Sequence, residues 1–160
     1  MKSNVKTIVV CGKTNSGKTT VIRNVTKYLI DEKGLKPLLE PNFNKKDIRA
    51  VLQLPDHKTL GIVSCGDGIK YTKEHYDKIP TCDFYLGAGH TYGEIIEFYS
   101  KKQKSENGYH DFCLNSTLFI RKIKGCDDNT KGAPDDPIIL ESNGSFEKII
   151  EDLLTYYFAY

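Results

Sequence analysis

The sequence predicts a three-layer α/β/α sandwich on a mainly parallel sheet of about five strands, and three observations predict it. Apolar runs of strand length recur along the chain. The first, Lys6 to Cys11 (Lys-Thr-Ile-Val-Val-Cys), is too continuous for a strand with one wet face. Between these runs lie stretches with apolar residues at steps of three and four, the signature of helices with one buried face. Short connections join them, as expected where helices cover both faces of a parallel sheet.

The elements follow in order. Lys6 to Cys11 reads as a central strand, and Val21, Ile22, Val25, Tyr28 and Leu29 mark the helix after it, with Gly34 as its stop. Lys36 to Glu40 reads as a second strand ended by Pro41, Lys45 to Leu54 as a short helix with Ile48, Val51 and Leu52 on one face, and Leu60 to Cys65 as a third strand. Tyr71 to Ile79 forms a helix that Pro80 terminates, Cys82 to Leu86 a fourth strand, and Tyr92 to Lys102 a helix with Ile95, Ile96 and Tyr99 inward. Strand and helix thus alternate throughout. Polar Lys104 to Asp111 reads as a surface loop, Ser116 to Ile123 as a fifth strand, and Gly125 to Pro137 as the most loop-like segment. Phe146, Ile149, Ile150, Leu153, Leu154, Tyr157 and Phe158 give a final amphipathic helix, with Asn143 and Ser145 as cap candidates. The aromatic end, Tyr156 to Tyr160, leaves a homodimer contact open.

With 160 residues, 39% of them hydrophobic, the chain fills one ordinary core and is short for two, so residues 1–160 read as a single domain. A balance of 23 basic and 21 acidic residues, net +2, gives no clear nucleic-acid or membrane signal. No stretch approaches the roughly 18 apolar residues of a membrane span, and the start lacks a signal-peptide apolar region, so a cytoplasmic location is expected. Five scattered cysteines, with no Cys-x-x-Cys pair and no histidine at zinc spacing, fit a reducing compartment. Cys11, Cys65 and Cys82 lie in or at the end of apolar runs and read as small buried hydrophobes.

Chemistry concentrates after the first strand. Gly12-Lys13-Thr14-Asn15-Ser16-Gly17-Lys18-Thr19 matches G-x-x-x-x-G-K-[ST] at every fixed position and lies between a buried strand and a helix. Glycines at 12 and 17 permit a tight turn that brings backbone N–H groups to a β-phosphate, aided by the positive end of the following helix. Lys18 then reaches the β- and γ-oxygens, and the Thr19 hydroxyl serves Mg²⁺, with Thr20 next in line at the start of the helix.

On these residues the chain resembles the P-loop NTPases. The likeness is close over the strand-loop-helix unit and general elsewhere. It implies the P-loop fold, a bound nucleoside triphosphate and Mg²⁺. Lys13 stands where the deviant Walker A ATPases carry a second lysine that contacts the phosphates of a dimer partner, although that subgroup has two glycines where this chain has Thr14 and Asn15. Gly66-Asp67 and Thr91-Tyr92-Gly93 are similar to features of small uncharacterised bacterial P-loop proteins, a likeness that brings no activity with it.

Such sites need a carboxylate at the end of a neighbouring strand to hold Mg²⁺ through water. Asp67 is the candidate, since it follows the apolar Leu60 to Cys65 run by one glycine and so falls at the carboxyl edge of the sheet. Glu40, ending the second strand on that edge, is the candidate to orient a water, and His90 or Thr91 in the small-residue loop Gly87 to Gly93 a candidate to touch substrate. Asn44-Lys45-Lys46-Asp47 spells a guanine-recognition signature but precedes the third strand, where it reads as a helix start capped by Asn44. The base therefore stays open between ATP, the expected ligand, and GTP.

Three activities share these elements. Hydrolysis of the triphosphate needs only the loop, Mg²⁺, a carboxylate and an oriented water. A small-molecule or nucleotide kinase needs further cations for the transferring phosphoryl group, and the arginines are Arg23, Arg49 and Arg121 alone. Of these, Arg49 is the candidate to bind a phosphorylated acceptor. A nucleotide-dependent binding module would hydrolyse little and exchange partners with its ligand state.

Overall fold

A computed structural model of the chain describes residues 4–12, 17–66, 68–89, 92–122, 138–140 and 146–158. The β-branched run near the N-terminus forms β1 (Thr7–Cys11), all five residues buried, and the following helix is α1 (Lys18–Asp31). After α1 the Glu32 and Lys33 N–H groups both donate to the Tyr28 carbonyl, and Leu35 returns a bond to Leu29 across Gly34.

Three strands then run as a meander: β2 (Lys36–Leu39), β3 (Arg49–Gln53) and β4 (Thr59–Val63), each antiparallel to the next. Here the structure corrects the sequence reading, because Lys45 to Leu54 is not a helix and Asn44 caps none. The Asn44 N–H instead donates to the Asn42 side chain at 3.0 Å, in a turn that leads into β3. Strand β3 is buried over Ala50, Val51 and Leu52, which lie 0–2% exposed. A strand wet on neither face shows no alternation, so Ile48, Val51 and Leu52 imitate a helical stripe. Pairing with β4, from Arg49 opposite Val63 to Gln53 opposite Thr59, decides the matter.

Helix α2 (Ile69–Asp77), strand β5 (Phe84–Gly89) and helix α3 (Tyr92–Tyr99) follow in the expected order, with β5 beginning two residues later than predicted. The polar stretch read as a loop contains a small hairpin, β6 (Gln103–Ser105) with β7 (Gly108–His110). It is held to the body by buried polar groups: the His110 Nε2–H donates to the Tyr76 carbonyl at 2.6 Å and the Gln103 amide to the Phe98 carbonyl at 2.8 Å. Strand β8 (Thr117–Lys122), a short β9 (Ile138–Leu140) and helix α4 (Phe146–Phe158) complete the described chain. Gly125 to Pro137 and the predicted caps Asn143 and Ser145 lie outside the described residues.

Among the described residues the main sheet has seven strands in the order β2-β3-β4-β5-β1-β8-β9, where about five were expected. The five from β4 to β9 run parallel, and the β3 and β2 edge adds the difference. Helices cover both faces. Alternate residues of β1 divide between the two cores: Ile8 and Val10 pack with Val21, Ile22, Val25 and Leu29 of α1 and with Ile150, Leu154 and Phe158 of α4. Val9 and Cys11 face the opposite core with Tyr76 of α2 and Ile95, Phe98 and Tyr99 of α3. No helix among the described residues is long and apolar enough to cross a membrane.

Candidate functional site

Every parallel strand presents its carboxyl end at one edge of the sheet. Because β3 is antiparallel, its first residue reaches the same edge, Arg49 lying opposite Val63. Strands β1 and β5 are neighbours, yet their outgoing connections lead to opposite faces, toward α1 and α3. That divergence opens the kind of crevice in which open α/β sheets bind ligands.

Gly12, at the end of β1, is buried, and its N–H donates to the Gly89 carbonyl at 3.1 Å. Gly17 has φ 92°, a left-handed backbone that favours glycine, and its carbonyl accepts the Val21 N–H at 3.0 Å to begin α1. Gly17 offers no side-chain cap, and the first turn of α1 holds no acidic residue. Among the described residues, then, α1 supplies no acidic side chain of its own to complement its positive end. Lys18 is 4% exposed, with its ammonium donating to the Gly12 carbonyl at 2.8 Å. A buried ammonium needs such acceptors to offset its lost hydration.

Thr19 is half-buried and its hydroxyl stands 3.4 Å from Asp47 Oδ1. Asp47 is fixed there by its neighbours. The Ile48 N–H donates to Ser64 Oγ at 2.8 Å and the Ser64 N–H returns to the Ile48 carbonyl at 3.0 Å. From the other side Arg23 of α1 donates to the Phe43 and Lys45 carbonyls, and Lys27 stands 5.0 Å from the Phe43 ring centroid. The segment before β3 is thus fastened to both α1 and the end of β4.

Between that segment and α2 lies a cleft of about 400 Å³, lined among others by Glu40, Lys45, Lys46, Asp47, Arg49 and His75. His75 Nδ1 is 3.2 Å from Arg49 Nη1; since a guanidinium only donates, Nδ1 is the acceptor. Burial, and then the Arg49 charge, lower the His75 pKa below 6.5, so the imidazole is neutral at pH 7. Cys65, 4% exposed just beyond β4, comes close to both: its sulfur, an Asp47 carboxylate oxygen and a His75 ring nitrogen all lie within 4.8 Å of one another. Next to it Gly66 is packed so tightly that a Cβ would stand 2.7 Å from the Ala88 carbonyl carbon and 2.8 Å from the Gly89 nitrogen.

Of the sequence candidates, Gly12, Gly17, Lys18 and Thr19 come together at this edge. Thr20 is exposed on α1, and Glu40 is exposed at the rim of the cleft. Lys13, Thr14, Asn15, Ser16, Asp67, His90 and Thr91 lie outside the described residues. The carboxylate at Thr19 is Asp47, which the sequence alone reads as part of a helix start. Reading 49–53 as an antiparallel strand would have brought it to this edge. Ser64, Cys65 and His75 carry no such signal, because only the tertiary fold unites them. Cys82 behaves as expected of a buried cysteine, burial pushing its thiol up to about 12. No family model, curated protein or solved structure matches this chain.

Proposed function

We propose that the chain is a single-domain P-loop protein that binds a nucleoside triphosphate with Mg²⁺ and hydrolyses it, ATP being the expected nucleotide and GTP the alternative. One observation carries the reading: the buried Lys18 ammonium sits at the Gly12 carbonyl, so the two ends of the Gly12 to Thr19 loop close on one another at the start of α1. A triphosphate entering there would exchange that carbonyl for phosphate oxygens, and the first turn of α1 would donate to the same group. Mg²⁺ would supply charge neutralisation on the β- and γ-phosphates. The Thr19 hydroxyl is suited to ligate it, and Asp47, through its contact with Thr19, to hold one of its waters. Asp67 keeps its proposed role toward Mg²⁺ in addition to Asp47, and Glu40 the orientation of the attacking water.

Comparing steady-state phosphate release in Asp47→Asn, Asp67→Asn and Glu40→Gln tests these roles. Loss of Mg²⁺-dependent turnover in Asp47→Asn with triphosphate binding kept is expected. Unchanged turnover in that variant would remove Asp47 from the site.

A kinase reading is favoured by one feature, the cleft in which Lys45, Lys46 and Arg49 outnumber the carboxylates of Glu40 and Asp47. It suits an acceptor bearing an anionic group. Phosphate release in the absence of any acceptor separates hydrolysis from transfer.

A further inference from the structure

Asp47 and His75 of the cleft lining meet Cys65 in a donor set of a kind that Mg²⁺ does not choose. Cys65 lies just beyond the end of β4, His75 projects from the last turn of α2 and Asp47 precedes β3, so three separate elements deliver one thiol, one imidazole and one carboxylate. Their ligand atoms lie within 4.8 Å of one another, with Cys65 buried and the other two half-buried. Hard cations take oxygen ligands, whereas a sulfur, nitrogen and oxygen set suits borderline metals. In a tetrahedral site with metal–ligand bonds of about 2.0–2.3 Å, donors stand roughly 3–4 Å apart. The three side chains therefore need only a small inward movement.

We propose that Asp47, Cys65 and His75 form a binding site for a borderline divalent transition metal such as zinc or cobalt, with the fourth position open to the cleft. Three protein ligands and one exchangeable position is the arrangement of metal sites that handle small ligands rather than of closed structural ones. As the metal–sulfur bond forms, the Cys65 thiol proton passes to solvent. The site owes nothing to the nucleotide reading: it takes a different class of metal on a different donor set, and only Asp47 belongs to both.

Arg49 acts against occupancy. Its Nη1 donates to His75 Nδ1 at 3.2 Å. A metal on Nδ1 would need that lone pair, and a metal on Nε2 would require a proton on Nδ1 that faces the guanidinium. Either way Arg49 has to withdraw, so an Arg49→Ala chain should bind metal more tightly than the native one.

Cobalt(II) titrated into the protein without nucleotide tests the site, since a thiolate ligand gives a sulfur-to-cobalt charge-transfer absorption and tetrahedral geometry gives visible bands. One cobalt per chain with both features is expected. Cys65→Ser should lose the charge-transfer absorption, His75→Gln should weaken binding about tenfold or more, and Arg49→Ala should tighten it. Cys113→Ser, which removes an exposed cysteine, should keep the spectrum, and circular dichroism shows whether each variant is folded. A wild-type chain with no such absorption overturns the proposal, as does an absorption that survives in folded Cys65→Ser and His75→Gln or vanishes in Cys113→Ser. None of these outcomes bears on whether the chain binds a triphosphate.

Discussion

Lys18 and Asp47 carry the account at the scale of single residues. Removing the Lys18 ammonium eliminates charge-assisted hydrogen bonds worth about 1.5–3 kcal/mol each, so Lys18→Ala should weaken triphosphate binding by at least about tenfold. Asp47 differs in kind, because its carboxylate meets the Thr19 hydroxyl and would act on Mg²⁺ rather than on the phosphates. Asp47→Asn keeps the shape and removes the charge, and should cost Mg²⁺-dependent turnover more than affinity, read as a fall in kcat with a smaller change in KM. Gly66 makes a purely steric prediction. A methyl there would meet the backbone of Ala88 and Gly89 at 2.7–2.8 Å, and backbone cannot yield as a flexible side chain does. Gly66→Ala should destabilise the fold by about 1–3 kcal/mol, measured by urea denaturation.

Among the elements, α4 makes the cleanest prediction, since Leu154 is fully buried in the core shared with α1 and Phe158 stacks on Phe84 at 4.4 Å. Leu154→Ala should cost about 2–5 kcal/mol, visible as an earlier urea midpoint with circular dichroism at low urea unchanged. Elements of this strength were legible in the sequence: β1 and β4 as continuous apolar runs, and α1 and α4 by their steps of three and four. Strand β3 was not, because burial on both faces erases the period that separates strand from helix. The hairpin of β6 and β7 and the edge strand β9 were not, being three residues each. The same limit governs the site. Lys18 and Thr19 are fixed by local spacing and could be read directly. Asp47 depended on the misread β3, while His75 and Cys65 meet it only through the packing of α2 against the sheet.

For the molecule as a whole, the two faces differ in chemistry. The α1 and α4 face is mainly aliphatic, whereas the α2 and α3 face encloses a polar chain. There the Cys82 N–H donates to the Tyr85 hydroxyl at 2.8 Å, Tyr85 donates to His110 Nδ1 at 2.6 Å, and His110 Nε2–H donates to the Tyr76 carbonyl. Burial lowers the His110 pKa from 6.5, against smaller raising effects of the Tyr76 carbonyl and Asp77. The folded state therefore binds this proton less readily than the unfolded chain does. That part of the stability is complete above pH 6.5 and is lost as pH falls below it toward the folded-state value. His75 shifts in the same direction, so urea midpoints should fall as the pH drops below 6.5, and less steeply in His110→Gln.

The central claim, that this sheet edge holds a triphosphate, is tested most directly by calorimetric titration of ATP and GTP with Mg²⁺ into the wild type and Lys18→Ala. Binding of one triphosphate per wild-type chain, weakened at least about tenfold in a folded Lys18→Ala, is the result the account predicts. Absence of binding to the wild type, or equal affinity in the variant, would contradict it.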